Sequence, residues 1–420
     1  MSTISARRGR KDDARELTVL ALNSGSSSLK FGLYRVGPSE TEMLLSGQVG
    51  SIGGSEGRFS ARDSRLNEVV SESVSIPDQQ KAIARIARLL ADANISAPAA
   101  IGHRIVHGGP KLRQHCVIDD SVLRELAAAA AFAPLHTPSA LSVIHFAQEH
   151  FPDLAQVACF DTTFHADMPD VARVLPIPRE LRSEGIQRYG FHGLSIESIV
   201  RQLGDDLPDR LIVAHLGNGA SITAVKSGKS IDTSMGLTPT GGVIMGTRSG
   251  DLDPGVLVYL MREKKFDAAM VEDLVDHRSG LAGISGVDSD MRRLHEAAAS
   301  NCDARLAIQM FCYSVRKQVA GMIAALDGFD LLVFTGGIGE NDAPVRAEIC
   351  AGLSWLGVSL DKARNRAANN PINDSASCCT VRVLASREDE QIARHTWALL
   401  PQHRRDDTTA DMNEALDKLG

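Results

Sequence analysis

The pattern of apolar and polar positions divides the chain into short strand-like runs separated by glycine-rich turns, beginning with "LTVLALNSGSSSLKFGLYRV". The apolar run stops at Asn23, passes through one glycine and three consecutive serines, and resumes after Lys30. A tight hairpin turn needs only about two residues of special geometry. Ser24 and Gly25 are enough for that, which leaves the three serines unexplained. A Gly/Ser-rich polar stretch follows from Ser46 to Ser60, then a helical segment from Gln79 to Ala93. A strand at "AIGHRIVHGG" and an alanine-rich helix at "SVLRELAAAAAFA" come next.

The strand, glycine turn, strand unit recurs at "RLIVAHLGNGASITAVKSGKSIDTS". Aligning Gly25 with Gly219 pairs Val19 with Val213, Leu22 with Leu216 and Ser27 with Ser221. Each copy opens a half of similar size with strands followed by helices, which predicts two related α/β lobes facing one another across a cleft. A third glycine element is "DLLVFTGGIGENDAPVRAEICAGL". Its pattern predicts a buried parallel strand at 331–335, a loop at 336–341 and a helix at 343–353. The free amides at the start of such a helix form a natural anion site. Before it, Ala307, Phe311, Val315, Val319 and Ile323 share one helical face and predict core packing.

Composition narrows the classes. With 420 residues, 43% hydrophobic and 23% charged, the chain is long enough for two globular domains. A net charge of -7 argues against a nucleic-acid partner. The seven cysteines, at 116, 159, 302, 312, 350, 378 and 379, form no C-x-x-C pair and have no histidine at zinc spacing, so they read as reduced thiols. Cys378 and Cys379, adjacent in a strand, would point to opposite faces. The basic start "MSTISARRGRKDDAREL" lacks the apolar stretch of a signal peptide, and no run approaches the ~18 apolar residues of a membrane span. The expectation is a cytoplasmic protein with no membrane partner and polar tails at 1–16 and 403–420.

Two nucleotide motifs are absent. "SGKS" at 227–230 resembles the end of a P-loop, but Thr223 stands where the first glycine belongs and the segment sits in a hairpin. The dinucleotide pattern fails because Ile222 replaces the third glycine after Gly217 and Gly219. What remains is a set of loops at the ends of apolar runs. "GHRIVHGG" carries Arg104, "CFDTTFH" carries Asp161, "RYGFHGLS" carries His192, and the glycine-dense "TPTGGVIMGTRSGDLDPG" carries Arg248. Cations, a carboxylate and backbone amides from glycine loops are what phosphoryl transfer requires.

The stretches "NSGSSSLKFGLY", "GHRIVHGG", "FDTTFH", "QRYGFHGLS", "HLGNGAS", "DTSMGLTPTGGVIMGTRSGDLDPG" and "FTGGIGEN" together resemble the acetate kinase family, in that family's order. The resemblance implies the duplicated, ribonuclease H-like α/β fold of the actin, sugar kinase and chaperone ATPase superfamily. It places one domain at 17–162, with a terminal helix 389–402 packing back on it, and a nucleotide-binding domain at 163–388. It implies reversible transfer of the ATP γ-phosphoryl group to acetate, dependent on Mg2+ with Mn2+ able to substitute, by a homodimer. Direct in-line displacement is expected, with no general base, because a carboxylate is already ionised at neutral pH.

Carried over residue by residue, the resemblance makes Asp161, His192, Arg248 and Arg104 catalytic. Arg104 binds the substrate carboxylate, Arg248 stabilises the transferring phosphoryl, His192 hydrogen bonds its oxygens, and Asp161 acts positionally or through metal-bound water. Asn23 and Glu388 serve the metal. Ser386 and Arg387 depart from the usual pair beside that glutamate, and Asp389 is the alternative ligand. Ser26, Ser28 and Lys30 face the ATP phosphates, as do His215, Leu216, Gly217, Asn218 and Gly219. Asp290, Met291 and Arg292 hold the adenosine, with Gly337, Ile338, Gly339, Glu340 and Asn341 beneath it. Val106, Leu135, Phe191 and Pro239 form the methyl pocket. Val106 favours acetate, whereas Leu237, Thr240 and Gly241 depart from the common form and leave propionate as a second substrate. The competing classes are a shape-changing ATPase of the chaperone type, for which the chain has no room for a peptide-binding domain, and a dehydrogenase, which lacks the dinucleotide fingerprint.

Overall fold

A computed structural model describes residues 16–400 apart from 26, 27, 55, 93–95 and 135. The expected tails at 1–16 and 403–420 therefore lie outside the described residues, Glu16 excepted. Among the described residues no helix is long and apolar enough to cross a membrane, and all seven cysteines are free thiols, Cys378 exposed and Cys379 buried.

Two sheets organise the molecule. The first contains β1 (Leu17–Ser24), β2 (Leu29–Val36), β3 (Thr41–Gly50), β4 (Gly57–Asp63), β5 (Glu68–Val74), β6 (Ala100–Ile105), β7 (Cys116–Val117) and β8 (Ala155–Phe160), in the order β5-β4-β3-β2-β1-β6-β8-β7. The second contains β9 (Arg210–Leu216), β10 (Ala220–Lys226), β11 (Lys229–Thr233), β12 (Leu331–Thr335) and β13 (Thr380–Val383), in the order β11-β10-β9-β12-β13. The run β3-β2-β1-β6-β8 matches the second sheet strand for strand. In each, a three-stranded antiparallel meander is followed across the sheet by two further strands paired in parallel. The recurrence read from the two glycine hairpins is thus a duplication of the whole five-stranded core, giving the doubled actin-like α/β architecture.

Helices cover the sheets: α1 (Gln79–Asp92), α2 (Asp120–Ala128), α3 (Thr137–His150), α4 (Gly193–Leu203), α5 (Pro254–Glu263), α6 (Ala268–His277), α7 (Met291–Ala297), α8 (Cys302–Ala325), α9 (Gly336–Asn341), α10 (Ala343–Ala351) and α11 (Glu388–Leu399). Asn301 caps α8 by accepting from the amides of Asp303 and Ala304, a contribution of about 1 kcal/mol. The expected stripe on α8 is buried at all five positions, and each large side chain there contributes roughly 1.5–3 kcal/mol by leaving water. The helix α11 starts beside the second sheet and packs across the first, where Ile392 and Ala393 join Val19, Ala21 and Val157 in one buried cluster.

Two elements differ from the sequence reading. The polar stretch 46–60 belongs largely to β3 and β4, where Leu45, Val49, Phe59 and Ala61 alternate into the core. Glycines at 47 and 57 interrupt that alternation in the sequence, and a Cβ at 47 would fall 2.4 Å from the Phe31 ring. Segment 336–341, expected as a loop, is helix α9 despite three glycines. Charge holds it at both ends: the Glu340 carboxylate accepts from the amide of Gly336, and the buried Arg346 guanidinium donates to the carbonyls of Gly339 and Glu340. Tertiary contacts here outweigh a glycine penalty of about 1 kcal/mol per residue.

Burial also sets the charge of the histidines. It pushes His103, His107, His136, His165 and His215 down to about 4 and His115 to about 3, and it holds His192 well below its ordinary value. Two predictions follow from this packing. A Cβ on Gly102 would stand 2.2 Å from Thr396 Oγ1 and 2.6 Å from Ile392 Cγ2, so Gly102→Ala should destabilise the fold by about 1–3 kcal/mol, read as a lower urea midpoint; an unchanged midpoint would show that α11 packs loosely on β6. Secondly, between pH 6.5 and 4 the unfolded chain protonates these histidines and the folded chain does not, so stability falls as pH falls through that window. Each group adds up to about 1.4 kcal/mol per pH unit. Urea midpoints should be level above pH 7 and drop steeply below 6.5, and a level midpoint down to pH 5 would contradict the neutral assignment.

Candidate active site

The carboxyl ends of the central strands of both sheets open onto one cavity of about 900 Å3. Crevices at the carboxyl ends of parallel strands are where open α/β sheets place their ligands. Asn23 ends β1, Arg104 lies on β6, Asp161 directly follows β8, His215 is on β9 and Gly337 follows β12.

The first sheet contributes a charged cluster. Arg104 donates through Nε to both Asp161 oxygens at 3.1 Å and through Nη2 to Oδ2 at 2.6 Å, while its Nη1 donates to Asn23 Oδ1 at 3.1 Å. Burial opposes the Arg104 charge, but Asp161 and then Glu388 hold it above its ordinary pKa. Burial likewise pushes the Asp161 carboxyl up, against the pull of Arg104. Asn23 Nδ2 donates to Glu388 Oε2 and Asp389 Oδ1, each at 3.0 Å. Burial and the neighbouring Glu388 push Asp389 up, whereas Arg104, His215 and Lys30 outweigh burial and hold Glu388 down. The two crowded carboxylates, held together by the Asn23 amide, offer oxygen donors that suit a hard divalent cation.

The second sheet contributes neutral rings and a second arginine. His192, left-handed at φ 59° as the N-cap of α4, stacks on His215 with ring centroids 4.2 Å apart. Ser221 Oγ lies 3.0 Å from His192 Nδ1, and Ser195 Oγ lies 2.8 Å from His215 Nδ1. Arg248 donates to the Pro239 carbonyl at 3.3 Å, and its Nη2 lies 3.2 Å from His136 Nε2. Burial, and then Arg104, lower the Arg248 pKa, partly opposed by Asp276. Gly219 passes beneath both groups, because a Cβ there would lie 3.2 Å from His192 Nε2 and 3.5 Å from Arg248 Nη1.

The cavity thus brings together all four expected catalytic residues, both expected metal ligands, and Val106, Phe191 and Pro239 of the methyl pocket. Lys30, His215, Gly217, Asn218, Gly219, Gly337 and Glu340 also line it. The Glu340 carboxylate is engaged by the amides of Gly336 and Ser386. Ser28, Leu216, Ile338, Gly339 and Asn341 are not in the lining, and neither are Asp290, Met291 and Arg292. Of these, Leu216, Gly339 and Met291 are buried, while Asp290 pairs with Arg292. Ser26 and Leu135 lie outside the described residues. The sequence reading missed His136, Tyr34 and the hydroxyls of Ser195 and Ser221. Ser195 lies 20 residues from His215 and Ser221 lies 29 residues from His192, the rings they contact, and no spacing signals that. His115, Glu197 and His395 also cluster. The Phe160 amide donates to His115 Nδ1 at 3.0 Å, which leaves the proton on Nε2 and no lone pair there for a metal.

The acetokinase family model matches residues 18–394. An acetate kinase of Methylocella silvestris is 43% identical over 400 residues, covering 91% of this chain and 98% of the relative. Among solved structures, a propionate kinase from Francisella tularensis superposes with a TM-score of 0.85 at 37% identity, covering 91% of this chain and all of that one. The Porphyromonas gingivalis acetate kinase gives 0.80 at 35%, covering 91% and 99%. With the cavity between duplicated sheets and a family match across nearly all described residues, the chain belongs to the acetokinase family.

Proposed function

We propose that the protein is an acetate kinase that transfers the γ-phosphoryl group of ATP reversibly to acetate, giving acetyl phosphate and ADP. The observation that carries this reading is the pair of partly buried arginines, Arg104 and Arg248, lining one cavity with the neutral His192. Two like-charged guanidiniums repel one another, and their repulsion is relieved when a carboxylate and a transferring phosphoryl group arrive. Acetate is already ionised at neutral pH, so one of its oxygens attacks the γ-phosphorus directly while the β–γ bridging oxygen leaves with ADP. Asp161 is then a positioning residue, fixing the Arg104 guanidinium from two sides. With Ser221 donating to Nδ1, His192 carries its proton on Nε2 and donates to a phosphoryl oxygen. Asn23, Glu388 and Asp389 would hold Mg2+, which when bound neutralises phosphate charge. Lys30 and the amides of 217–219 and 337 would take the remaining phosphates. Residues 17–162 with α11, and 163–388, form the two lobes on this reading.

Val106, Phe191 and Pro239 make the methyl pocket small and apolar, which supports acetate. Because one methylene is worth only about 1–3 kcal/mol in such a pocket, propionate should react as a slower second substrate. The homodimer is supported by α5, "PGVLVYLMRE", an apolar helix with no buried residue whose Val258, Tyr259 and Met261 are all about half exposed. An apolar helix left on the surface fits an interface with a second copy.

With MgATP, hydroxylamine and acetate, the protein should accumulate acetohydroxamate. Arg104→Ala and Arg248→Ala should each lower the rate by roughly 10³-fold or more. ATP hydrolysis indifferent to added acids, with no hydroxamate, would instead favour the shape-changing ATPase. Light scattering should report twice the chain mass of 45.0 kDa, and Val258→Lys should shift it toward one chain mass. A wild-type monomer at micromolar concentration would remove the dimer.

A further inference from the structure

The two stacked histidines of the cavity are served crosswise by buried serines. Ser195 belongs to α4, the helix that His192 caps, but its hydroxyl lies 2.8 Å from His215 Nδ1. Ser221 stands opposite His215 in the β9–β10 pairing, but its hydroxyl lies 3.0 Å from His192 Nδ1. The Ser195 pair continues outward. Ser386, between β13 and α11, places its Oγ 2.9 Å from Ser195 Oγ, and Glu388 Oε1, the other acceptor within its reach, stands at 3.4 Å.

We propose that Ser386 and Ser195 are positioning residues that hold His215 in the tautomer protonated at Nε2, so that the ring presents a fixed N–H to the phosphates of the nucleotide. This rests on the kinase reading and adds to it a chain of hydrogen bonds from the start of α11 to β9. No proton is transferred and no bond of the reaction changes. The chain only orders hydrogens before the nucleotide arrives.

The order follows from counting protons. Burial pushes His215 down to about 4, so at neutral pH the ring carries one N–H and one lone pair. Each serine hydroxyl also has one proton to give. Among the described residues, Ser195 Oγ is hydrogen bonded only to His215 and Ser386. With Ser386 donating to Ser195, Ser195 directs its own proton to Nδ1, and the ring proton sits on Nε2. The reverse order would turn the Ser386 proton to Glu388 at 3.4 Å, outside the range of about 2.5–3.0 Å for a hydroxyl donor. It would also leave Nε2 with a lone pair, which repels phosphate oxygens. Ser386 is itself held from two sides. Its amide donates to Glu340 Oε1 at 2.9 Å, and the amide of Arg387 donates to Ser198 Oγ of α4 at 3.1 Å. Segment 386–388 therefore orders the His215 ring at one end and carries a carboxylate of the cavity at the other.

The test compares Ser386→Thr with Ser386→Val, which share a shape and differ by the hydroxyl, beside Ser195→Ala and the unaltered full chain. Nitrogen NMR shifts of the His215 ring read the tautomer, and hydroxamate trapping reads kcat and KM for ATP and acetate. The unaltered chain and Ser386→Thr should show His215 protonated at Nε2. Ser386→Val and Ser195→Ala should show both tautomers and raise KM for ATP about tenfold, the worth of one charge-assisted hydrogen bond. KM for acetate and kcat should stay within about twofold, because the contact is made to bound nucleotide throughout. Protonation at Nδ1 in the unaltered chain would overturn the proposal. So would a Ser386→Val enzyme that matches Ser386→Thr in both readouts, or one that loses affinity for ATP and acetate equally, the mark of a merely structural serine. If the unaltered chain forms no hydroxamate, the kinase reading falls, and the ring shifts of the Thr and Val variants still decide whether the serines set the tautomer.

Discussion

A guanidinium largely withdrawn from water near the end of a strand must be neutralised where it stands, and Arg104 shows how much of the fold that demand organises. Leaving such a charge unpaired is costly, so β6 cannot carry Arg104 next to its end unless partners converge on it. The parallel register supplies two of them. Leu22 sits opposite His103 and Cys159 opposite Arg104, which brings Asn23 at the end of β1 and Asp161 just past β8 to either side of the guanidinium. The third partner comes from the far end of the chain. Glu388, 4.0 Å from Arg104 Nη1, opens α11, whose Ile392 and Thr396 press against Gly102 two residues upstream on β6. The last helix therefore closes the charge cluster at its first turn and packs the sheet with the rest of its length.

The second sheet reaches the same cavity by a different chemistry. His215 pairs in register with Thr335 on the parallel neighbour β12, so the ends of both strands and their glycine turns meet the ligand space together. Here the polar groups are kept neutral. Ser195 and Ser221 fix the ring orientations, and burial removes the histidine charge. Positive charge on the cavity lining is thereby left to Arg104, Arg248, Lys30 and, near its rim, Arg387.

What the sequence made legible follows from which forces act locally. Period-two and period-3.6 patterns are set by burial, so β12, the α8 stripe and both glycine hairpins could be read directly. The full five-strand duplication was only partly visible, because β6 and β12 share a place in the sheet without sharing motif residues. Strands β3 and β4 were hidden where glycine takes an apolar position, and α9 where a carboxylate and a buried arginine outweigh glycine propensity. The loop arginines and Asp161 were conspicuous because charges at the ends of apolar runs are costly unless used. His136 was not, because its role depends on Arg248 approaching from more than a hundred residues away.

The two arginines differ in a way that bears on their proposed tasks. Arg104 is clamped by a carboxylate through three hydrogen bonds, so its position is set before any ligand arrives. Among the described residues, the oxygen and nitrogen atoms hydrogen bonded to Arg248 are those of a carbonyl and a neutral imidazole, both at 3.2 Å or longer. Its nearby acid, Asp276, is occupied by Thr240. A fixed cation suits a group that must hold a substrate carboxylate in line, where a misplacement of about 1 Å can cost two orders of magnitude in rate. A loosely held, desolvated cation suits charge that develops during transfer, because it gains most when a stronger anion replaces weak neutral partners.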